Sequence, residues 1–227
     1  MPVTVVINTH TKSTRALSHL MKSMCSSRGF DDANVIICEG GHYTMDTDYA
    51  TSTPDHANEN IVHVKCNHNS IDFTGLIALV EAFPNAGQCY FYMHDTCEVG
   101  PGFFEALERT IQTHRVSDSI AIGSPSMNMG FYSAGILFAH KNLIVAQKNR
   151  DPGAVQRWKA RGVKSEDLVF RADPTCVIVP GLSSCSHRPV DQYGNGVRRI
   201  TEHYAFLDLW KFKANFQGFR DEYELEN

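Results

Sequence analysis

Apolar and polar positions along this chain fall into blocks of two kinds. Short β-branched or aromatic runs, Val3 to Ile7, Val35 to Cys38, Ile61 to Val64, Cys89 to Met93, Ser119 to Ile122 and Cys176 to Val179, have the length and make-up of strands. Cys89 to Met93 is apolar without a break, as suits a strand buried on both faces. Between these runs, apolar residues recur at helical spacing: Leu17, Leu20, Met21 and Met24, then Phe73, Leu76, Ile77, Val80 and Phe83, then Phe103, Phe104, Leu107 and Ile111. Ser13 stands where a cap for the first helix belongs, and Gly29 where it ends. Asn142 to Gln147 and Ala154 to Ala160 read as further helix, and Ser165 as a cap that would put Glu166 and Asp167 in a first helical turn. His42 to Asn60 has little periodicity and reads as a long surface loop, while Leu209, Phe212 and Phe216 read as the packing stripe of a terminal segment.

Strand, helix, strand at the start of a chain requires a right-handed crossover and parallel pairing, so the fold class is α/β, in a single domain covering 1–227. Ligands of such sheets sit outside the carboxyl ends of the strands. The stretch that places chemistry there is Gln88 to Leu107, whose apolar run breaks into His94, Asp95 and Thr96 before the Gly100-Pro101 turn signal. Asp95 is therefore the first candidate for a functional carboxylate, with Thr9, His10 and Thr11 at the end of the first strand beside it.

Composition narrows the classes. A formal charge of -4 offers no basic field for nucleic acid. No apolar run approaches the length of a membrane span, and the start lacks the pattern of a signal peptide, so the expected location is cytoplasmic. Seven cysteines, with Cys38 and Cys89 among those inside strand-like runs, agree with a reducing compartment. Cys66-Asn67-His68 and Cys185-Ser186-His187 lack the CxxC spacing of a zinc site.

After the first strand there is neither GxGxxG nor GxxxxGK[ST], so a Rossmann dinucleotide site and a P-loop are both disfavoured. A nucleotide would then be held through a carboxylate and a metal. The polar loop after strand one, His94-Asp95-Thr96 and the later Glu166-Asp167 pair resemble the GT-A fold glycosyltransferases that use nucleotide sugars. The tail segments Asp191 to Arg199 and Leu207 to Asn215 are similar to bacterial and large-virus polysaccharide glycosyltransferases. The resemblance implies a GT-A-like three-layer α/β/α fold with a mostly parallel central sheet, a nucleotide-binding half over about 1–100 and an acceptor-binding half over about 101–227.

It further implies transfer of a sugar from a nucleotide-sugar donor to a hydroxyl acceptor such as a glycan. Asp95 would bind Mn or Mg and the diphosphate, with His187 or His203 as a late metal ligand. Asp167 would be the base of an inverting displacement, with Glu166 second. Thr9, His10, Thr11 and His94 would line the nucleotide site, Arg198 and Arg199 would face the leaving diphosphate, and Asn128, Met129 and Gly130 would face a sugar. The sequence departs from the family's paired-acid motif, since only Asp95 falls in place; Asp46-Thr47-Asp48 has the letters but follows strand two. The rival readings are a sugar-nucleotide nucleotidyltransferase, which would want a Gly-rich basic loop after strand one, and a catalytically silent carbohydrate-binding or scaffold domain.

Overall fold

A computed structural model of the chain describes residues 3–53, 60–83, 86–114, 119–121, 127–155, 157–158, 166–178, 192–193 and 198–214. The central sheet has eight strands: β1 (Val3–His10), β2 (Asn34–Gly40), β3 (Tyr49–Ser52), β4 (Ile61–Cys66), β5 (Cys89–His94), β7 (Ile120–Ala121), β8 (Gly130–Ser133) and β9 (Val177–Ile178). A second, antiparallel sheet joins β6 (Cys97–Val99) to β10 (Gln192–Tyr193), β11 (Arg198–Tyr204) and β12 (Leu209–Ala214).

In the large sheet the order is β3-β4-β2-β1-β5-β8-β7-β9. Its centre, β4, β2, β1 and β5, is parallel, whereas β8 runs antiparallel between β5 and β7. All parallel strands therefore deliver their carboxyl ends to one rim. Because β8 is reversed, its start at Gly130 comes to that same rim, opposite Tyr92.

Side-chain alternation sorts the core into two layers. Val5, Ile7, Phe91 and Met93 face Leu20 and Met24 of helix α1 (Thr14–Cys25) and Phe103 and Leu107 of helix α3 (Phe103–His114). Val6, Ile36, Tyr90, Tyr92 and Tyr132 face Leu76, Ile77 and Val80 of helix α2 (Thr74–Ala82), with Ile136, Leu137, Val169 and Phe170 beyond. The result is the expected three-layer α/β/α arrangement around a mostly parallel sheet. Among the described residues no helix is long and apolar enough to cross a membrane.

Several elements differ from the sequence expectation. The segment read as an unbroken loop from His42 to Asn60 contains β3, which pairs antiparallel with β4 at the sheet's edge. Ser13 occupies the N-cap position of α1 but makes no cap bond, because its hydroxyl is taken up by His10 at 3.0 Å. The helix expected from Ile71 begins as a 3-10 turn, Ile71–Phe73, before α2. Glu166 and Asp167 precede the helix Leu168–Ala172 rather than forming its first turn, and Asp167 instead holds Arg171 at 2.9 Å. The terminal packing stripe opens in a strand, β12, with Leu209 in the core, while Phe216 lies outside the described residues.

Candidate functional site

The site is built where β1 and β5 end side by side, Asn8 opposite His94. Successive residues of each strand point to opposite faces, so Thr9 and Asp95 lie on the α1 and α3 side, and Asn8 and His94 on the α2 side. On the first side, the Thr9 hydroxyl donates to Asp95 Oδ2 at 2.6 Å, and the Ser13 hydroxyl also bonds that carboxyl. Asp95 N–H donates to the Asn8 carbonyl at 3.1 Å, which ties the end of β5 to β1. Asp95 is 6% exposed. Burial pushes its carboxyl above the usual range, opposed by the Thr9 hydrogen bond and by the nearby His10 and Lys211. The acid thus lies within the rim and does not project from it.

On the other side His94 is held at both nitrogens. Lys211 Nζ lies 3.2 Å from Nδ1, and Nε2 lies 2.8 Å from Asn128 Oδ1. An ammonium can only donate, so Nδ1 accepts and the ring proton sits on Nε2, where it donates to Asn128. Burial first, then the Lys211 charge, lower the His94 pKa to about 4, so the ring is neutral near pH 7. Its 3.7 Å approach to Asp72 Oδ1 is accordingly not an ion pair at that pH. The Asn128 amide in turn donates to the Asp72 carbonyl, which also accepts the Tyr92 hydroxyl at 2.8 Å. Donors and acceptors therefore run in one direction, Lys211 to His94 to Asn128 to Asp72.

Lys211 arrives from the second sheet. β12 pairs with β6, Lys211 opposite Cys97, immediately after the Asp95-Thr96 loop. Alternation puts Lys211 on the side of buried Leu209 and sends Trp210 the other way, where it stacks on His203 at 4.7 Å. The ammonium also donates to the Thr96 hydroxyl.

The remaining sequence candidates are distributed unevenly. His10 is half-buried at the rim, with Nδ1 accepting the Lys12 amide at 3.1 Å. Thr11 is exposed, its amide bonded to the Gly40 carbonyl. Asn128 belongs to the site, but Met129 is fully buried in the core and offers a sugar no surface. Gly130 is a packing residue, because a Cβ there would lie 2.3 Å from the Ile120 carbonyl oxygen. Glu166 and Asp167 are half-buried, three or four residues before Phe170, which stacks on Tyr132 at 4.7 Å. The Tyr132 hydroxyl donates to the Asn128 carbonyl, so the Asp167 segment packs on the same layer as His94. Arg198 and Arg199 have only their backbone described, in β11, and His187 lies outside the described residues. The alternative acid motif is structural: Asp48 holds Lys148 at 2.9 Å, together with Arg150 and Asn67, at the sheet's edge.

Two participants escaped the sequence reading. Asp72 carries no signal of its own, and nothing in the letters shows that Ile71 before it has φ 53°. Lys211 was legible in principle, since Leu209-Trp210-Lys211 alternates as a strand does.

Whether these groups fit a divalent cation can be judged from their lone pairs. His94 has none to give, with one nitrogen accepting from Lys211 and the other protonated toward Asn128. Asp95 already accepts the Thr9 hydroxyl hydrogen, and the Lys211 charge acts on its carboxyl. Among the described residues no three His, Cys, Asp or Glu side chains converge to hold a metal ion. Hard divalent ions want six or more oxygens, and this set fits one poorly.

No family model matches the chain, and no curated protein matches it. Solved structures of TarS from S. aureus are similar in outline. One TarS structure covers 79% of this chain at 14% identity and TM-score 0.48; the fragment 1–349 covers 81% at 11% identity and TM-score 0.49. The same fragment in complex with UDP-GlcNAc covers 62% at 13% identity and TM-score 0.45. The chain spans 35%, 58% and 47% of those three chains respectively.

Proposed function

We propose that this protein is a glycosyltransferase that moves a sugar from a nucleotide-sugar donor to a hydroxyl acceptor with inversion. The observation that supports the reading is the joint rim of β1 and β5, where Thr9, His94, Asp95 and Lys211 gather at the position an α/β sheet offers a ligand. This is where the sequence resemblance puts the sugar-nucleotide diphosphate.

In this reading the nucleotide lies over the loop Thr9 to Thr11, and its diphosphate meets the cationic side of the rim. The acceptor oxygen attacks the anomeric carbon from the face opposite the diphosphate and loses its proton to Asp167. The bond from carbon to the diphosphate oxygen breaks, and the nucleoside diphosphate leaves with the electron pair. Asp167 is the favoured base over Glu166, because its carboxylate is already oriented by Arg171.

The test separates chemistry from binding. Incubation with a panel of nucleotide sugars should release free nucleotide, slowly by hydrolysis and faster with a hydroxyl acceptor. Asp167→Asn should keep donor binding, read by thermal shift, and lower turnover by roughly 100-fold or more, the order expected for loss of a general base. Unchanged turnover in that variant removes Asp167 from the role. No nucleotide release from any donor removes the enzyme.

A further inference from the structure

Asp72 stands at the rim with its backbone held and its side chain unused. The Asp72 carbonyl accepts the Tyr92 hydroxyl at 2.8 Å and the Asn128 amide, while the Ile71 carbonyl before it accepts Asn8 Nδ2 at 3.0 Å. Residues of β1, of β5 and of the segment before β8 therefore fix its position. The carboxyl itself makes no hydrogen bond among the described residues, and His94 Nε2 lies 3.7 Å from it, beyond hydrogen-bond reach. We propose that the Asp72 carboxylate binds two neighbouring hydroxyl groups of a nucleotide sugar, on the ribose or on the sugar to be transferred. The inference rests on the glycosyltransferase reading and names a group that selects its donor.

The surroundings of the carboxyl decide what it can take. An ionised carboxylate only accepts hydrogen bonds, and it has two oxygens to accept with. The nearest ring hydrogen, on His94 Nε2, is already given to Asn128 Oδ1 at 2.8 Å, so the missing donors have to come with a ligand. Burial lowers the His94 pKa to about 4, so the imidazole does not neutralise the carboxylate near pH 7. With 20% of the Asp72 side chain exposed, its oxygens can be reached from the rim yet are largely sheltered from water, where a hydrogen bond to a charge is strong.

Phosphate groups are excluded from this position by like charge. A divalent ion is a poor alternative, since among the described residues no three His, Cys, Asp or Glu side chains converge to hold one. Neighbouring hydroxyls on a sugar ring fit, because they are uncharged and present two hydrogens side by side to the two carboxylate oxygens. A nucleotide sugar offers such a pair on its ribose and another on the transferred ring.

The proposal is tested by binding to the full chain. Three ligands are compared: the nucleotide sugar of lowest Kd from a panel, its nucleoside diphosphate, which lacks the transferred sugar, and the 2′,3′-dideoxy form of that diphosphate, which lacks both hydroxyl pairs. Calorimetry gives Kd for the wild type, Asp72→Asn and Asp72→Ala. Both variants should weaken the nucleotide sugar by roughly tenfold or more, the order expected for hydrogen bonds to a charged group, and should bind the dideoxy diphosphate as the wild type does. With the plain diphosphate, equal Kd values assign the contact to the transferred sugar, and a loss as large as that for the nucleotide sugar assigns it to the ribose. Because the carboxyl makes no hydrogen bond within the described fold, both variants should melt within roughly 2 °C of the wild type. A much larger drop in both shows that the carboxyl supports the fold, and overturns the proposal. Unchanged nucleotide-sugar binding in the variants overturns it too, as does a loss that persists with the dideoxy diphosphate; each leaves the glycosyltransferase reading in place. Failure of the wild type to bind any nucleotide sugar overturns both.

Discussion

Ile71 has φ 53°, a left-handed backbone that costs a β-branched residue roughly 1–2 kcal/mol. The conformation is held from two sides: its amide donates to Asn69 Oδ1 at 3.0 Å, and its carbonyl accepts from Asn8 Nδ2 at 3.0 Å. Asn8 completes its bonds by accepting the Gly75 amide at 2.9 Å, so one side chain of β1 fixes both the strained turn and the start of α2. Strain maintained this way is characteristic of functional rims, and here it sets Asp72 beside His94. A second polar group at the same end of the sheet makes a pH prediction. Glu39, at the end of β2, is held down to about 2 by His63 and His42, with burial opposing. The His42 contact, at 2.6 Å, has hydrogen-bond geometry, whereas His63 Nε2 stands 3.4 Å away and is not hydrogen-bonded. A carboxyl depressed in the folded state stabilises it above the unfolded pKa near 4.5 and loses that contribution as pH falls toward 2. The melting temperature should therefore drop less between pH 5 and pH 3 in Glu39→Gln than in the wild type. Equal drops would show that the His42 and His63 contacts do not stabilise the fold.

At the scale of elements, the junction between β6 and α3 shows how the second sheet is fastened to the first. Gly100 N–H donates to the Asp208 carbonyl at 2.8 Å, and Asp208 Oδ2 accepts the Gly102 amide at 2.8 Å just before α3. Asp208 itself has φ 54°, so the turn that leads into β12 is shaped around this contact. A Cβ on Gly100 would lie 2.2 Å from the Asp208 carboxylate, which cannot move without leaving Gly102. Gly100→Ala should cost about 1–3 kcal/mol by urea unfolding. Asp208→Gly removes the obstructing carboxylate while tolerating the positive φ, so the double variant should be less destabilised than the sum of the two singles. Additive effects would mean the two residues do not meet. The sequence made the strands and helices of the parallel unit legible because their periodicities are long and locally consistent. Gly100-Pro101 also read correctly as a turn. What stayed hidden was set by distant partners. β3 exists because β4 offers it an edge, β6 is three residues long and is defined by pairing with β12, and Ser13 is diverted from its cap by His10. The same holds for the site: Asp95 could be located from one strand's end, but its burial and its lysine depend on residues 86 and 116 positions away, Thr9 and Lys211.

Across the whole molecule, the rim chemistry belongs to neither sheet alone. The large sheet supplies His94 and Asp95, the small sheet supplies Lys211, and the chain passes from one to the other in the short step from β5 to β6. So short a connection would not by itself fix one sheet against the other, and their placement depends on side chains buried between them. Tyr204, Leu207 and Leu209 are buried in the same core cluster as Phe91, Phe103 and Leu107. Leu207 is fully buried in the 3-10 turn Ala205–Leu207 that joins β11 to β12. If this shared core makes the sheets one cooperative unit, Leu207→Ala should lower stability by about 2–5 kcal/mol. It should also leave a single unfolding transition. Far-UV circular dichroism reports mainly on the large sheet and its helices, whereas the fluorescence of Trp210 reports on the small one; a Trp158→Phe background isolates that signal, since the chain has two tryptophans. Coincident midpoints in the parent and in Leu207→Ala would show that the lysine and the acid are positioned by one fold. An earlier fluorescence transition would show that the small sheet detaches first, carrying Lys211 away from the rim while the large sheet remains folded.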